Sequence, residues 1–235
     1  MLKLAEGIYQ HTIAQFVNIY VIAGTDGVGI IDTGVSGGLV NILRRELPKL
    51  GLAFEDIRHI LLTHAHFDHI GGLKKLRAAL PTAKLYAGTR ETPILTGAEK
   101  LQVAPRSELR GLAWLTSFGL VTKVDPTTVE VMLNEGDRLD HLRGLEVVNL
   151  PGHSVGQIGF YLPSARLLIG GDVMFSLPLL GVKMPLRAAS ADWAQAKESI
   201  RKVAAMDVDI LSVGHVSAVV GGAGAKIKAL AARIS

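Results

Sequence analysis

The stretch Leu61-Leu62-Thr63-His64-Ala65-His66-Phe67-Asp68-His69-Ile70-Gly71-Gly72 concentrates the chemistry of this chain. Three histidines and an aspartate fall within six positions, after an apolar run and before a segment with helical spacing. Imidazole nitrogen and carboxylate oxygen are the donors zinc takes when no thiolate is available. Where a chain leaves a strand, side chains at i and i+2 point the same way, so His64 and His66 can grip one ion together. Asp68 and His69 follow at the turn into the helix and can face a second ion beside the first. Gly71 and Gly72 permit the tight turn that a crowded metal floor requires. A single buried histidine is usually a hydrogen-bonded core residue. Burying three imidazoles and a carboxylate without an ion strands a costly set of polar groups.

Four donors do not close two sites, and candidates for the rest stand at later strand ends. Pro151-Gly152-His153-Ser154 follows an apolar strand, as do Gly170-Gly171-Asp172 and Val213-Gly214-His215. Each is weak alone: Asp172 reads equally as a helix cap, and His153 or His215 as a loop residue. Together they supply three donors where three are needed. Asp32, in Ile30-Ile31-Asp32-Thr33-Gly34, ends another strand and can accept a hydrogen bond that orients a ligating imidazole. It reads equally as a turn aspartate. His11, His59 and His141 have no such company and are expected to be structural or exposed.

Composition bounds the alternatives. With 235 residues, 49% of them hydrophobic and 20% charged, the chain has the makings of one domain over residues 1–235. A net charge of +4 without a dense Lys/Arg run, and with few aromatic residues, gives no support to a nucleic-acid groove. The absence of cysteine excludes disulfides, thiolate nucleophiles and cysteine-based metal sites. No signal-peptide pattern precedes residue 10, and no apolar run reaches bilayer length, so a cytoplasmic location is the default.

The flanking sequence alternates strand and helix. Strands are expected at 8–11, 17–23, 28–31, 59–62 and 84–86, and helices at 36–50 and 72–80. Residues 88–126 change character and read as a helix-and-loop insertion with one helix near 107–118. Strand signals return at 129–133, 146–150, 158–162, 167–169 and 210–213. Ser190 is expected to cap a helix running to Ala205, with Asp192 in its first turn, and a last helix covers 223–234.

On His64-x-His66-x-Asp68-His69, with Asp32, His153, Asp172 and His215 in the order of the other motifs, the chain resembles the metallo-β-lactamase superfamily over about residues 7–216. The resemblance implies an α/β fold, a four-layer αββα sandwich of two mixed sheets flanked by helices. It also implies two metal ions per chain, zinc first and iron or manganese as alternatives. His64, His66 and His153 would hold one ion, Asp68, His69 and His215 the other, with Asp172 bridging. Ala65 stands where the flavodiiron branch has a glutamate ligand. An aspartate at 172 resembles the glyoxalase II and lactonase-like branches. The chain ends about twenty residues beyond His215, so the helical glutathione-binding domain of glyoxalase II is not expected.

The implied activity is hydrolysis of a small-molecule ester, thioester, lactone or related carbonyl bond. Two ions about 3.5–4 Å apart can lower the pKa of a shared water toward roughly 7, giving hydroxide at neutral pH. Asp68 would orient it and pass a proton to the leaving group. Trp114, Leu115 and Phe118, with Phe175, Leu177, Leu179 and Leu180, could wall an apolar pocket above the metals, or simply pack together. Arg106, Arg110, Lys183 and Arg187 could meet an anionic substrate group. The rival readings are a mononuclear-iron oxidoreductase of the persulfide-dioxygenase kind and a phosphodiesterase. The expected partner is a small-molecule substrate, with no nucleic acid or membrane and with a homodimer as one option.

Overall fold

The computed structural model describes residues 1–35, 38–177 and 180–234. Strands β1 (Leu2–Ala5), β2 (Ile8–Ile13), β3 (Val17–Ala23), β4 (Val28–Ile31), β5 (Ile57–Leu61), β6 (Lys84–Gly88) and β7 (Val131–Leu133) form one sheet in sequential order. Its first four strands are antiparallel and β4 to β7 are parallel. The second sheet takes β8 (Arg138–Leu139), β9 (Leu145–Asn149), β10 (Ile158–Leu162) and β11 (Leu167–Ile169). A separate hairpin of β12 (Phe175–Leu177) and β13 (Gly181–Lys183) follows, and β14 (Ile210–Ser212) and β15 (Val219–Val220) complete the second sheet beyond β11. The helices are α1 (Leu39–Glu46), α2 (Phe67–Ile70), α3 (Leu73–Ala79), α4 (Thr92–Leu95), α5 (Gly111–Thr116), α6 (Trp193–Ala205) and α7 (Ala223–Ala231).

Side-chain alternation along the strands decides the layering. On β3 and β4, Tyr20, Ile22 and Ile31 face one way, while Ile19, Val21 and Ile30 face the other. The first set meets Val147, Ile158, Phe160, Leu167 and Ile169 of the second sheet in the central core. The opposite set packs on Leu39 and Leu43 of α1 and Leu73 and Leu76 of α3. On the far side, Leu168 and Leu211 pack against Ile200 and Val203 of α6 and Ile227 and Leu230 of α7. Strands covered on both faces must be apolar at nearly every position, which is why these read as continuous hydrophobic runs. The result is the four-layer sandwich that the family resemblance implied.

Several boundaries differ from expectation for identifiable reasons. The helix at 36–50 is α1 followed by a 3-10 turn over Leu47–Leu50, closed by Gly51 at φ 73°; its expected start at Ser36 lies outside the described residues. Asp192, not Ser190, caps α6, its carboxylate accepting from the Gln195 amide at 3.0 Å. Ser190 is instead drawn toward His153 and Leu186. The single helix expected at 107–118 is broken into a 3-10 turn (Arg106–Glu108), α5 and a second turn (Ser117–Gly119). Gly111, at φ 54°, interrupts any continuous helix there. Ala104 and Leu109 of this region pack on Ala188, which brings the insertion against the turn before α6. The short strands β1, β8, β12, β13 and β15 have too few residues to show a periodic signal in the sequence.

Candidate metal centre

All the candidate ligands sit where strands end at one edge of the sandwich. Asp32 follows β4, His64 follows β5, His153 follows β9, Asp172 follows β11 and His215 follows β14. His66 is the extended residue preceding α2, and that helix carries Asp68 and His69. Side chains far apart in sequence thus meet because parallel strands β4 and β5, and β11 and β14, end together.

The structure brings six of the seven residues into two trios, with Asp172 between them. Potential ligand atoms of His64, His66 and His153 lie within 4.8 Å of one another, and so do those of Asp68, His69 and His215. Asp172 reaches both groups, with its oxygens 3.4 Å from His153 Nε2, 3.0 Å from His215 Nε2 and 3.4 Å from His69 Nε2. Whether these residues fit metal ions is decided by their unused atoms. His64 Nε2, His66 Nε2, His69 Nε2 and Asp172 Oδ1 are buried without a hydrogen-bond partner. Buried polar atoms are almost always paired, so this many orphans in one spot mark a place for cations. The donor set fits.

The supporting hydrogen bonds orient the imidazoles toward that place. Asp32, fully buried, accepts from the Thr63 amide at 2.9 Å, from Thr63 Oγ1 at 2.8 Å and from His69 Nδ1 at 2.8 Å. Because the Thr63 hydroxyl proton goes to Asp32, Thr63 Oγ1 is left to accept from His64 Nδ1, 3.0 Å away. Likewise Ser190 Oγ donates to Leu186 O and so accepts from His153 Nδ1 at 3.3 Å. Each proton held on Nδ1 leaves an Nε2 lone pair facing the centre, the arrangement typical of metal-ligating histidines. Asp32 occupies the left-handed region at φ 59°, a conformation aspartate tolerates better than most side chains.

Without a cation the cluster recruits protons unevenly. Burial, reinforced by the neighbouring rings, lowers His64 and His66 well below the usual histidine range. Burial likewise brings His153 down to about 4. Burial also works against charge on His215 and His69, but carboxylates outweigh it there. Asp172 and Asp68 push His215 up to about 9, and Asp32 and Asp172 hold His69 well above its ordinary value. Asp68 has the converse balance: burial opposes its charge, while His215 and His69 bring it to about 2.

Residues that sequence reasoning passed over tie the ligand loops together. Glu91 is buried and accepts from the Ala65 amide at 2.8 Å, the Gly156 amide at 2.9 Å and Ser154 Oγ at 2.6 Å. It therefore clamps the loop of His64 and His66 to the loop of His153. Gln157 accepts from the Asp172 amide at 3.2 Å and donates to Leu150 O at 3.1 Å. Asn18 and Tyr20 both donate to Val213 O at 2.7 Å, anchoring the loop of His215 to the first sheet. The only hint in sequence is a few polar residues inside otherwise apolar strands. At Gly214, a Cβ would collide with Asp172 and His69, so only glycine lets that strand end approach.

Above the centre lies a pocket of about 230 Å³ whose floor includes His66, Asp68, His153, Asp172 and His215. Its apolar walls are Phe16, Phe67, Val103, Leu120, Val121 and Phe175, and no lysine or arginine lines it among the described residues. Of the expected wall residues, Phe175 takes part. Trp114 and Phe118 do not: they stack edge-to-face at 4.8 Å and remain 46% and 55% exposed. Leu115, Leu177 and Leu180 also lie outside its lining, and Leu179 falls outside the described residues. The insertion contributes its wall through Val103 and the loop after α5 instead. Arg106 sits over the Phe118 ring at 4.3 Å and Arg187 pairs with Glu108 at 3.2 Å, so neither reaches the centre. Arg110, bonded to Ser107 O and Leu109 O, and Lys183 are likewise absent from the lining.

One further expectation is corrected. His59 and His141 are not isolated: with Asp26 they form a second cluster away from this centre.

The chain matches the family model of the metallo-beta-lactamase superfamily over residues 12–215 and belongs to that superfamily. It is 27% identical over 227 residues to the probable metallo-hydrolase YflN of Bacillus subtilis (strain 168), covering 91% of this chain and 85% of that protein. It is 28% identical over 152 residues to a hydroxyacylglutathione hydrolase of Francisella tularensis, spanning 64% of this chain but 46% of that protein. Among solved structures it resembles the family protein TTHA1429 of Thermus thermophilus, with a TM-score of 0.70 at 23% identity, covering 98% and 80% of the two chains. TTHA1623, solved in a di-iron-bound form, has a TM-score of 0.65 at 27% identity, covering 93% and 98%.

Proposed function

We propose that this chain is a metal-dependent hydrolase that cleaves a carbonyl bond in a small, largely apolar ester, thioester or lactone at a two-metal centre, with zinc as the first candidate. The observation that carries the reading is the cluster of orphaned buried donor atoms, in two trios sharing Asp172, on the floor of an apolar pocket. The relatives named as a probable metallo-hydrolase and a hydroxyacylglutathione hydrolase support the hydrolase class.

His64, His66 and His153 would hold one cation, Asp68, His69 and His215 the other, and Asp172 both. Ions bound there would supply Lewis acidity, polarising a carbonyl oxygen and lowering the pKa of water. The side chain of Asp68, 31% exposed and facing the pocket, is the carboxylate best placed to take a proton at its free oxygen and return it to the leaving group. Asp32 keeps the His69 proton on Nδ1. Phe16, Phe67 and Phe175 keep bulk water from the reacting bond and select an apolar acyl or lactone ring. The absence of cationic side chains among the described lining residues favours such a substrate over a phosphodiester.

The test is metal content of the purified protein, followed by turnover of lactones, thioesters and phosphodiesters by wild type, His66→Ala and Asp172→Ala. Metal-dependent lactone or thioester hydrolysis, lost in both variants, is expected. Full activity in metal-free protein overturns the reading. One iron per chain with oxygen consumption would replace it with the oxidoreductase reading, and phosphodiesters turned over far faster than esters with the phosphodiesterase reading.

A further inference from the structure

The turn between β3 and β4 carries Asp26, the buried face of β5 carries His59, and the 3-10 turn after β8 (Asp140–Leu142) carries His141. One donor atom from each lies within 4.8 Å of the other two. His59 Nε2 is 3.0 Å from Asp26 Oδ1, and the His59 and His141 rings are 4.7 Å apart. His141 Nε2 is buried and has no hydrogen-bond partner. From this arrangement we infer a second, separate metal site: Asp26, His59 and His141 bind a first-row divalent transition cation such as zinc, pinning the two sheets together at the edge opposite the hydrolytic centre.

The chemistry is selective. Two imidazoles and one carboxylate suit zinc, nickel or copper and are poor donors for magnesium or calcium. Donors around a tetrahedral ion at about 2.0–2.1 Å stand roughly 3.3 Å apart, close to the separation already held by His59 and Asp26. Asp26 is exposed, so solvent can complete the coordination from outside. Tyr86 OH lies 2.9 Å from His59 Nδ1 and can accept its proton in a hydrogen bond, which leaves the Nε2 lone pair facing Asp26.

The backbone is built for the junction. The Thr25 amide donates to His141 O at 2.9 Å, and Arg143 Nε donates to Ala23 O at 2.8 Å, so the β3–β4 turn already docks on the second sheet. A Cβ at Gly24 would strike His141 O, so the approach depends on glycine there. His59 lies midway along β5, and His64 follows its end, five residues further on. At about 3.3 Å per residue that separates the two centres by roughly 16 Å, too far for a shared ligand.

The test titrates zinc chloride into protein whose hydrolytic centre is already metal-loaded, comparing wild type with Asp26→Asn and His141→Gln. Wild type is expected to take up one more zinc per chain than either variant. That zinc should raise the melting temperature of wild type alone and slow amide exchange at residues 23–28 and 140–143. Hydrolysis of the substrates above should be unchanged in both variants. Equal zinc uptake by all three proteins, or a zinc-induced shift that survives in Asp26→Asn, overturns the inference. Because the comparison is between variants outside the hydrolytic centre, its outcome is independent of whether that centre hydrolyses anything.

Discussion

Asp32 shows how much one side chain can govern. Its two oxygens serve three donors, and one of them, His69 Nδ1, sets which nitrogen of His69 is free. Asp32→Asn keeps the left-handed backbone but puts an amide where an acceptor is needed, so the His69 proton moves to the nitrogen facing the cations. Metal affinity should fall roughly 10–100-fold, read by chelator competition, with the fold retained in circular dichroism. The metal-free protein should also show a maximum of stability near pH 6.5. His153, lowered to about 4, must gain a proton on unfolding between pH 4 and 6.5, so stability falls as the pH drops through that window. His215, raised to about 9, binds its proton more tightly when folded, so stability is full below about 6.5 and falls as the pH rises toward 9. Urea unfolding of metal-free protein across pH 4–9 checks both limbs, and saturating metal should flatten the alkaline one.

Elements act here mainly by ending in the right place. Gly214 stands where β14 gives way to the loop carrying His215, and any side chain would displace Asp172 and His69. Gly214→Ala should therefore lose bound metal while far-ultraviolet circular dichroism stays unchanged, which separates a failed site from a failed fold. Glu91, just ahead of α4, has the opposite role of holding two loops together through three donors. Glu91→Ala leaves those donors buried and unpaired and should cost about 3 kcal/mol in denaturant unfolding; Glu91→Gln should cost less. The candidate donors could be nominated from the sequence because four of them share one short motif and the others sit beside glycine at apolar strand ends. Glu91 was not legible, since nothing near it in sequence says that residues 65, 154 and 156 will converge on it. Residues 88–126 stood out in the sequence as a change of composition. Its exposed aromatic pair, Trp114 and Phe118, attracted the pocket reading that belongs to the less conspicuous Leu120 and Val121.

At the scale of the whole molecule, the pocket is assembled from parts that have no local relationship: the β2–β3 turn, α2, the loop after α5, and the segments after β9, β11 and β14. Val121→Asp at its wall should raise KM for an apolar substrate about tenfold with metal content unchanged, since lost apolar contacts discriminate substrates on that scale. The sequence by itself pointed to the layered α/β architecture and nominated the candidate donor set of the centre. Strands buried on both faces have to be apolar throughout, and clustered imidazoles and carboxylates have few uses other than metal. Only the tertiary structure decided which side chains wall the pocket, which polar residues hold the ligand loops, and that Asp26, His59 and His141 meet at all. Those contacts depend on the stacking of two sheets, and they join residues whose spacing along the chain leaves no periodic trace.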